Sequence, residues 1–306
     1  MRILVTGGAG FIGSHVVDAY VAGGHEVRVI DNLATGRRAN VNAKARLHEI
    51  DVHSNETGQL FREFRPEIVN HHAAQASVKL SASDPQHDLE VNGGGTARIA
   101  FLAAQFGARK MIYSSTGGAL YGDPERVPVD EEHPIRPLSA YGLSKRVGEL
   151  YLDLAGRTLG LTHTILRYAN AYGPRQDPHG EAGVVAIFTG KMLRGEPCTI
   201  DGDGEQEKDY VYVGDIARAN VIALEKGDGQ ALNIGTGRGT SVNAIFGALQ
   251  RATGDTTAPL HGPPRPGDVR RIWLDSARAK RVLGWEPEVD LDDGIARTVE
   301  WFRANS

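Results

Sequence analysis

Residues 2–13 read Arg2-Ile-Leu-Val-Thr6-Gly7-Gly8-Ala9-Gly10-Phe11-Ile12-Gly13. The apolar run at 2–6 predicts a buried strand, and residues 14–22 have helical spacing, so the glycines form the turn from a strand into a helix. Glycine lets the backbone turn tightly and come close to a pyrophosphate. The helix N-terminus adds free N–H groups and the positive end of its dipole. A second predicted strand, 25–30, runs into Asp31, eighteen residues past Gly13. A carboxylate at that place accepts both hydroxyls of an adenosine ribose and repels a 2′-phosphate, which favours NAD over NADP. Arg37 and Arg38 follow in what reads as a solvated loop.

The alternation continues outward. Strands are predicted at 47–50, 67–72, 109–114 and 162–168, with helices at 84–106 and 138–159. Strands and helices alternating in this way predict a parallel sheet covered on both faces. Ligands of such sheets gather at the carboxyl ends of the strands. Gly13, Asp31, Asp51, Ala74, Ser114 and Tyr168 all fall at or just after predicted strand ends. Ala73 and Ala74 are small enough for a cofactor to approach, and Asn92 is expected to face the cofactor or solvent. Past Tyr168 the rhythm changes. Residues 170–174 and 177–183 read as loops, 184–194 as a helix, 202–207 as a polar turn, 209–213 as a strand and 215–226 as a helix. A last strand at 231–234 precedes helices at 241–253, 276–283 and 291–304, with a proline-rich break at 259–266. The predicted division is a nucleotide-binding unit of 1–169 plus about 209–236, and a second unit of 170–208 and 237–306.

The 306 residues are 41% hydrophobic and 24% charged, with a formal net charge of −4 and one cysteine, Cys198. That balance argues against a protein relying on bulk charge to hold nucleic acid. A lone cysteine forms no internal disulfide and, with no activating motif beside it, reads as inert. His71 and His72 lack further ligands at metal spacing, so no metal is expected. No apolar run reaches the length of a membrane span and no leader pattern follows Met1, which makes the cytoplasm the expected location.

Tyr141-Gly-Leu-Ser-Lys145 places a phenol and an ammonium one helical turn apart. An adjacent ammonium stabilises a phenolate, so Lys145 is expected to lower the Tyr141 pKa and fit it to take a proton from a sugar hydroxyl.

These stretches, in order along the chain, resemble the extended short-chain dehydrogenase/reductase family of nucleotide-sugar enzymes. The matching pieces are Gly7–Gly13, Asp31, Asp51-Val52, His72-Ala-Ala, Asn92, Ser114-Ser-Thr with Tyr121-Gly122, Tyr141 with Lys145, residues 167–174, residues 209–215 and Arg265-Pro-Gly-Asp268. The resemblance implies a Rossmann-type doubly wound α/β sheet with a smaller C-terminal substrate-binding domain. It implies NAD lying on Gly7, Gly10, Phe11, Ile12 and Gly13. Asp31 and Asn32 would meet the adenosine ribose, and Asp51 and Val52 the adenine. Ala73, Ala74, Asn92 and Ser114 would line the cofactor, Lys145 would hold the nicotinamide ribose, and Tyr168 would lie by the nicotinamide. For the substrate it implies Ser115, Thr116, Asn170, Val184, Lys208, Arg265 and Asp268; an arginine fork suits a diphosphate.

The implied activity is epimerisation at C4 of a UDP-hexose through a transient 4-keto sugar. Tyr141, Lys145 and Thr116 would be catalytic, with NAD retained and a homodimer built on the 84–106 and 138–159 helices. An N-acetylhexosamine or a uronate is the alternative sugar. Gly117 and Gly118 stand where dehydratases of the family carry an acidic pair and decarboxylases usually a Glu, which weighs against both reactions. A non-catalytic NAD-binding regulator is the remaining reading. The loop after Ser114 is one residue longer than the common family loop, which leaves open whether Thr116 or, as the fallback, Ser115 supplies the catalytic hydroxyl. Lys208 replaces the usual Arg, and Ile272 stands where relatives carry either an aromatic or a small residue.

Overall fold

The computed structural model describes residues 1–178, 183–264 and 269–305. Its centre is a seven-stranded sheet. In chain order the strands are β1 (Arg2–Thr6), β2 (Glu26–Asp31), β3 (Arg46–Glu49), β4 (Ile68–His71), β5 (Lys110–Thr116), β6 (Thr162–Tyr168) and the edge strand Gln230–Ile234. Every pairing is parallel. From one edge to the other the order is Gln230–Ile234, β6, β5, β4, β1, β2, β3. The order reverses at β1, and the crevice beside it is where a doubly wound sheet takes a ligand.

Alternation along β1 shows how both faces are filled. Ile3 and Val5 pack with Val16, Val17 and Tyr20 of helix α1 (Phe11–Ala22) and with Ile216 and Ala219 of the Val213–Ala223 helix. Leu4 points to the other face, against Phe61 of the Asn55–Phe64 helix, Ile99 of Gly95–Gln105 and Leu152 of Ala140–Leu159. Period two in a strand is thereby read as two cores. A third core, including Phe188, Ile245, Phe246 and Val299, joins the helices Val184–Leu193, Val242–Thr253 and Leu291–Asn305. Cys198 is buried in it, and burial pushes its thiol up to about 11, which leaves it unreactive at neutral pH.

Three expectations change. The 84–106 segment is not one helix: Pro85–Leu89 leads into a π-helical turn at Glu90–Gly94 before Gly95–Gln105 begins. A Cβ at Gly93 would press at 3.0 Å on Leu89 and Val147, so glycine there lets the turn lie against the neighbouring helix. Residues 170–172, expected as loop, form a strand parallel to Tyr210–Tyr212 in a separate two-stranded sheet. Only the 230–234 part of the segment expected to return therefore joins the large sheet. The Asn55–Phe64 helix is not among the predicted elements, although Thr57, Leu60, Phe61 and Phe64 form a helical stripe buried on one side.

Candidate active site

The glycine turn meets its steric demands in three different ways. Gly7 has φ +69°, and a Cβ there would stand 2.5 Å from Ala73 N. A Cβ on Gly13 would overlap the Gly7 carbonyl oxygen. A Cβ on Gly10 would meet only that same oxygen, at 3.2 Å, so the space above Gly10 is open. Gly10 caps α1 without a side chain, and the helix ladder begins with Ser14 N donating to Gly10 O at 3.1 Å. The N–H groups of Phe11, Ile12 and Gly13 thus belong to a first turn with no carbonyl behind it. Asp31, at the end of β2, is buried and held by Ala9 N and Leu33 N at 2.9 Å each. Each of its oxygens keeps a further lone pair for a ligand hydroxyl. Arg37 pairs with Asp177 at 3.3 Å and Arg38 with Glu49, both well exposed, in keeping with a solvated loop. Asn32 donates to Asp51 at 2.8 Å, joining the ends of β2 and β3, and Val52 is buried beside Gly95.

Beyond β4 the two histidines diverge. His71 bridges Thr6 at 2.6 Å and Thr96 at 3.2 Å. His72 stacks on Tyr168 and reaches its hydroxyl at 3.2 Å, and that hydroxyl also accepts from Asn220 at 2.8 Å. Burial, with Lys145 adding to it, lowers both imidazoles, His72 to about 3, so both are neutral. Ala73 N donates to the Thr6 hydroxyl at 3.2 Å. Asn92 does not face solvent. It is buried, exchanging bonds with the Gln75 backbone at 2.9 and 3.0 Å and donating to Asp88 at 3.1 Å and to Ser144 at 3.0 Å. Its amide is fully engaged inside the protein, because the π-helical turn rotates it inward.

The Ala140–Leu159 helix begins with Ser139 accepting from Gly142 N at 3.1 Å. A Cβ on Gly142 would overlap the Ala119 carbonyl, so this glycine lets the helix start press on the loop after β5. That contact brings the Thr116 hydroxyl close enough to the Tyr141 phenol to favour its ionised form. The longer loop therefore does not displace Thr116. Its extra length is taken up beyond it, where Ala119 N donates back to the Thr116 hydroxyl at 3.2 Å. Ser115 is the residue that must be reassigned. Alternation along β5 turns it to the opposite face, where it is buried and donates to Glu149 at 2.7 Å, so it does not serve as the substitute hydroxyl or face a substrate. Ser114, two residues before Thr116 and on the same face of β5, is half-buried.

The expected effect of Lys145 on Tyr141 is also corrected. Burial first, and the charge of Asp88 second, push Tyr141 up to about 12, with the Thr116 hydrogen bond acting against them. Lys145 is itself pushed down to about 7 by burial, opposed by Glu149 and Asp88, and its ammonium sits 4.4 Å from the centre of the Tyr113 ring. Desolvation of both groups outweighs their proximity along the helix.

Behind the pair lies a buried ion cluster. Arg167 makes a two-pronged contact with Glu149 at 2.9 and 2.8 Å, Arg146 reaches Glu149 at 2.7 Å, and Arg167 also donates to Tyr121 at 2.9 Å. On the other side of the site, Asn170 donates to the Asp209 carbonyl at 3.2 Å, and Val184 opens the Val184–Leu193 helix. Lys208 donates to the Val269 carbonyl. Ile272 is buried in the core rather than exposed. Arg265 and Asp268 lie outside the described residues. Asp209 accepts from Thr236, Gly237 and Leu274, which makes it a latch between the loop after Gln230–Ile234 and the segment at 274. Among the described residues no group of three or more His, Cys, Asp or Glu is arranged to hold a metal ion, and no helix is long and apolar enough to cross a membrane.

Residues 3–235 match the NAD dependent epimerase/dehydratase family. A UDP-glucose 4-epimerase of Mycolicibacterium smegmatis is 46% identical over 312 residues, covering 100% of both chains. Among solved structures, a UDP-glucose 4-epimerase of Thermotoga maritima with UDP-glucose is 51% identical with a TM-score of 0.98, covering 100% of this chain and 99% of that one. A UDP-glucose 4-epimerase of Thermus thermophilus in complex with NAD is 47% identical with a TM-score of 0.95, covering 100% of both.

Proposed function

The chain belongs to the NAD dependent epimerase/dehydratase family, and from that membership we propose that it interconverts UDP-glucose and UDP-galactose by inverting C4 of the hexose. The observation that carries the reading is the packing of the Tyr141 helix start on the loop after β5, which sets the Thr116 hydroxyl beside the Tyr141 phenol. Gly117 and Gly118 beside it bring no acid or base for dehydration or decarboxylation.

The residues at the end of β1 fit NAD: an open position above Gly10, the first-turn N–H groups of α1 for a pyrophosphate, and the Asp31 carboxylate for a ribose. Bound there, NAD supplies the acceptor and then the donor of the C4 hydride. In our assignment Tyr141 takes the proton of the C4 hydroxyl and later returns it, which needs its proton affinity lowered from the value that burial imposes. Thr116 donates to the same oxygen as charge develops on it. Lys145 supplies the positive charge beside them. Asn170, Val184, Lys208, Arg265 and Asp268 are assigned to the UDP side of the pocket, within a substrate-binding unit of 170–208 and 237–306.

Thr116 and Ser115 separate cleanly in this scheme. Thr116→Ala is expected to lower kcat about 10²-fold. Ser115→Ala is expected to leave kcat within a few-fold and to cost about 1 kcal/mol of stability, because it loses a buried bond to Glu149. Steady-state kinetics and urea unfolding of the two variants check both halves.

We also assign a homodimer. Leu143, Leu150 and Leu154 are exposed along one stripe of the Ala140–Leu159 helix, and Phe101 is 55% exposed on its neighbour. A second copy of the same face would cover them. Light scattering at micromolar concentration is expected to give twice the chain mass, and Leu150→Glu with Leu154→Glu to give a monomer. The direct test of function is incubation of the purified protein with UDP-galactose and no added NAD. UDP-glucose is the expected product. No conversion, even with NAD supplied, would remove the assignment.

A further inference from the structure

We propose that Asp88 is a positioning residue for this reaction, a buried carboxylate that ties the Gln75 turn to the helix carrying Tyr141 and Lys145. The proposal rests on the epimerase reading of Tyr141 and Lys145.

Asp88 sits in the short helix Pro85–Leu89 and is 0% exposed. One carboxylate oxygen accepts from the Gln75 side chain at 2.7 Å and from Asn92 at 3.1 Å. The other is buried with no hydrogen-bond partner. Both donors are neutral amides. A buried carboxylate answered only by two amides is expensive, and a neutral side chain of the same shape would pack there at less cost. Its presence therefore calls for a role beyond packing.

The surroundings supply one. Through Gln75 and Asn92 the carboxylate is joined to Ser144, which accepts from Asn92 at 3.0 Å and donates to the Tyr141 carbonyl at 3.0 Å. The turn after Ala73 and Ala74 is thus fastened to the helix that carries the reacting phenol. The charge of Asp88 also acts on Tyr141, Lys145 and Tyr113. The other groups acting on or facing Lys145 are Glu149 on its own helix, Tyr113 on β5, and His71 and His72 beyond β4. The histidines are neutral. Glu149 is already matched by Arg167 at 2.8 Å and Arg146 at 2.7 Å. Asp88, by contrast, is met only by the Gln75 and Asn92 amides.

The test is Asp88→Asn in the full-length protein as purified. The side chain keeps its shape and loses its charge, so the thermal midpoint is expected to hold or rise. With UDP-galactose, kcat is expected to fall about tenfold or more. Both limbs of the kcat–pH profile are expected to move about one unit toward acid, because without the negative charge Lys145 releases its proton sooner and Tyr141 ionises sooner. The second readout does not depend on turnover. In protein labelled with 15N-lysine, the Lys145 Nζ resonance, identified by its loss in Lys145→Arg, is expected to titrate at lower pH in Asp88→Asn. Asp88→Ser, smaller and also neutral, must shift the same way. A pH profile and a Lys145 titration that superimpose on wild type in both variants would overturn the proposal, whatever the loss of activity. If wild type turned over no nucleotide sugar while the Lys145 titration still moved, the epimerase reading would fail and with it the catalytic role of Asp88, leaving only its coupling to Lys145.

Discussion

Tyr141→Phe is expected to fold and retain NAD as the wild type does, yet to convert UDP-galactose about 10³- to 10⁴-fold more slowly. The substitution removes one hydroxyl and keeps the ring. Thr116 loses the phenol beside it but still accepts from Ala119 N at 3.2 Å, so its hydroxyl is not stranded. The loss should therefore fall on kcat, with little change in thermal midpoint or in the NAD released on denaturation. A Phe variant as active as wild type in whatever turnover the protein shows would instead favour the non-catalytic NAD-binding reading. Lys145 is expected to be less tolerant of a charge-neutral replacement than its place on the helix surface pattern suggests, because it is buried and its ammonium is held over the Tyr113 ring at 4.4 Å.

Arg167→Ala is expected to be the most destabilising single change considered, at about 3–5 kcal/mol by urea unfolding. The guanidinium is 4% exposed and its partner Glu149 is 0% exposed. Removing it leaves the carboxylate buried with Arg146 and Ser115 alone, and leaves the Tyr121 hydroxyl without its donor. The pair Arg167→Met with Glu149→Gln should be less harmful than Arg167→Ala, since neither charge is then stranded. Equal losses in the two proteins would show that the cluster contributes through packing alone. Because Glu149 also raises the Lys145 pKa, the double variant should lose activity even where stability recovers.

The sequence made the parallel sheet and its ligand edge legible for a physical reason. Strands buried on both faces read as short apolar runs, and β1 and β6 have the predicted bounds. The glycines at 7, 10 and 13 could be read because each answers a constraint of backbone geometry, which a linear spacing records. Side-chain facing is less accessible. Ser115 and Thr116 are neighbours with the same chemistry, and which of them meets Tyr141 depends on one residue of register in β5. Asn92 was placed on a continuous helix, and the π-helical turn at Glu90–Gly94 rotates it into the protein. Gln75 and Asp88 were missed altogether. Their signal was present only as spacing, Asp88 lying one turn before Asn92 on the same helical face. The Lys145–Tyr141 relation failed because spacing conveys distance along a helix and says nothing of desolvation, which dominates both groups here. Asp209 stands in a motif shared with the family, yet its carboxylate is spent on the backbone of Thr236, Gly237 and Leu274.

The central claim is that C4 loses a hydride and regains the same one on its other face inside a closed pocket. The direct measurement is the fate of deuterium at C4 of UDP-glucose, turned over in ordinary water and followed by NMR and mass spectrometry of the separated UDP-galactose. The account predicts that the product carries the deuterium at C4, undiluted by solvent. Product with hydrogen at C4 and the label lost to water would contradict it.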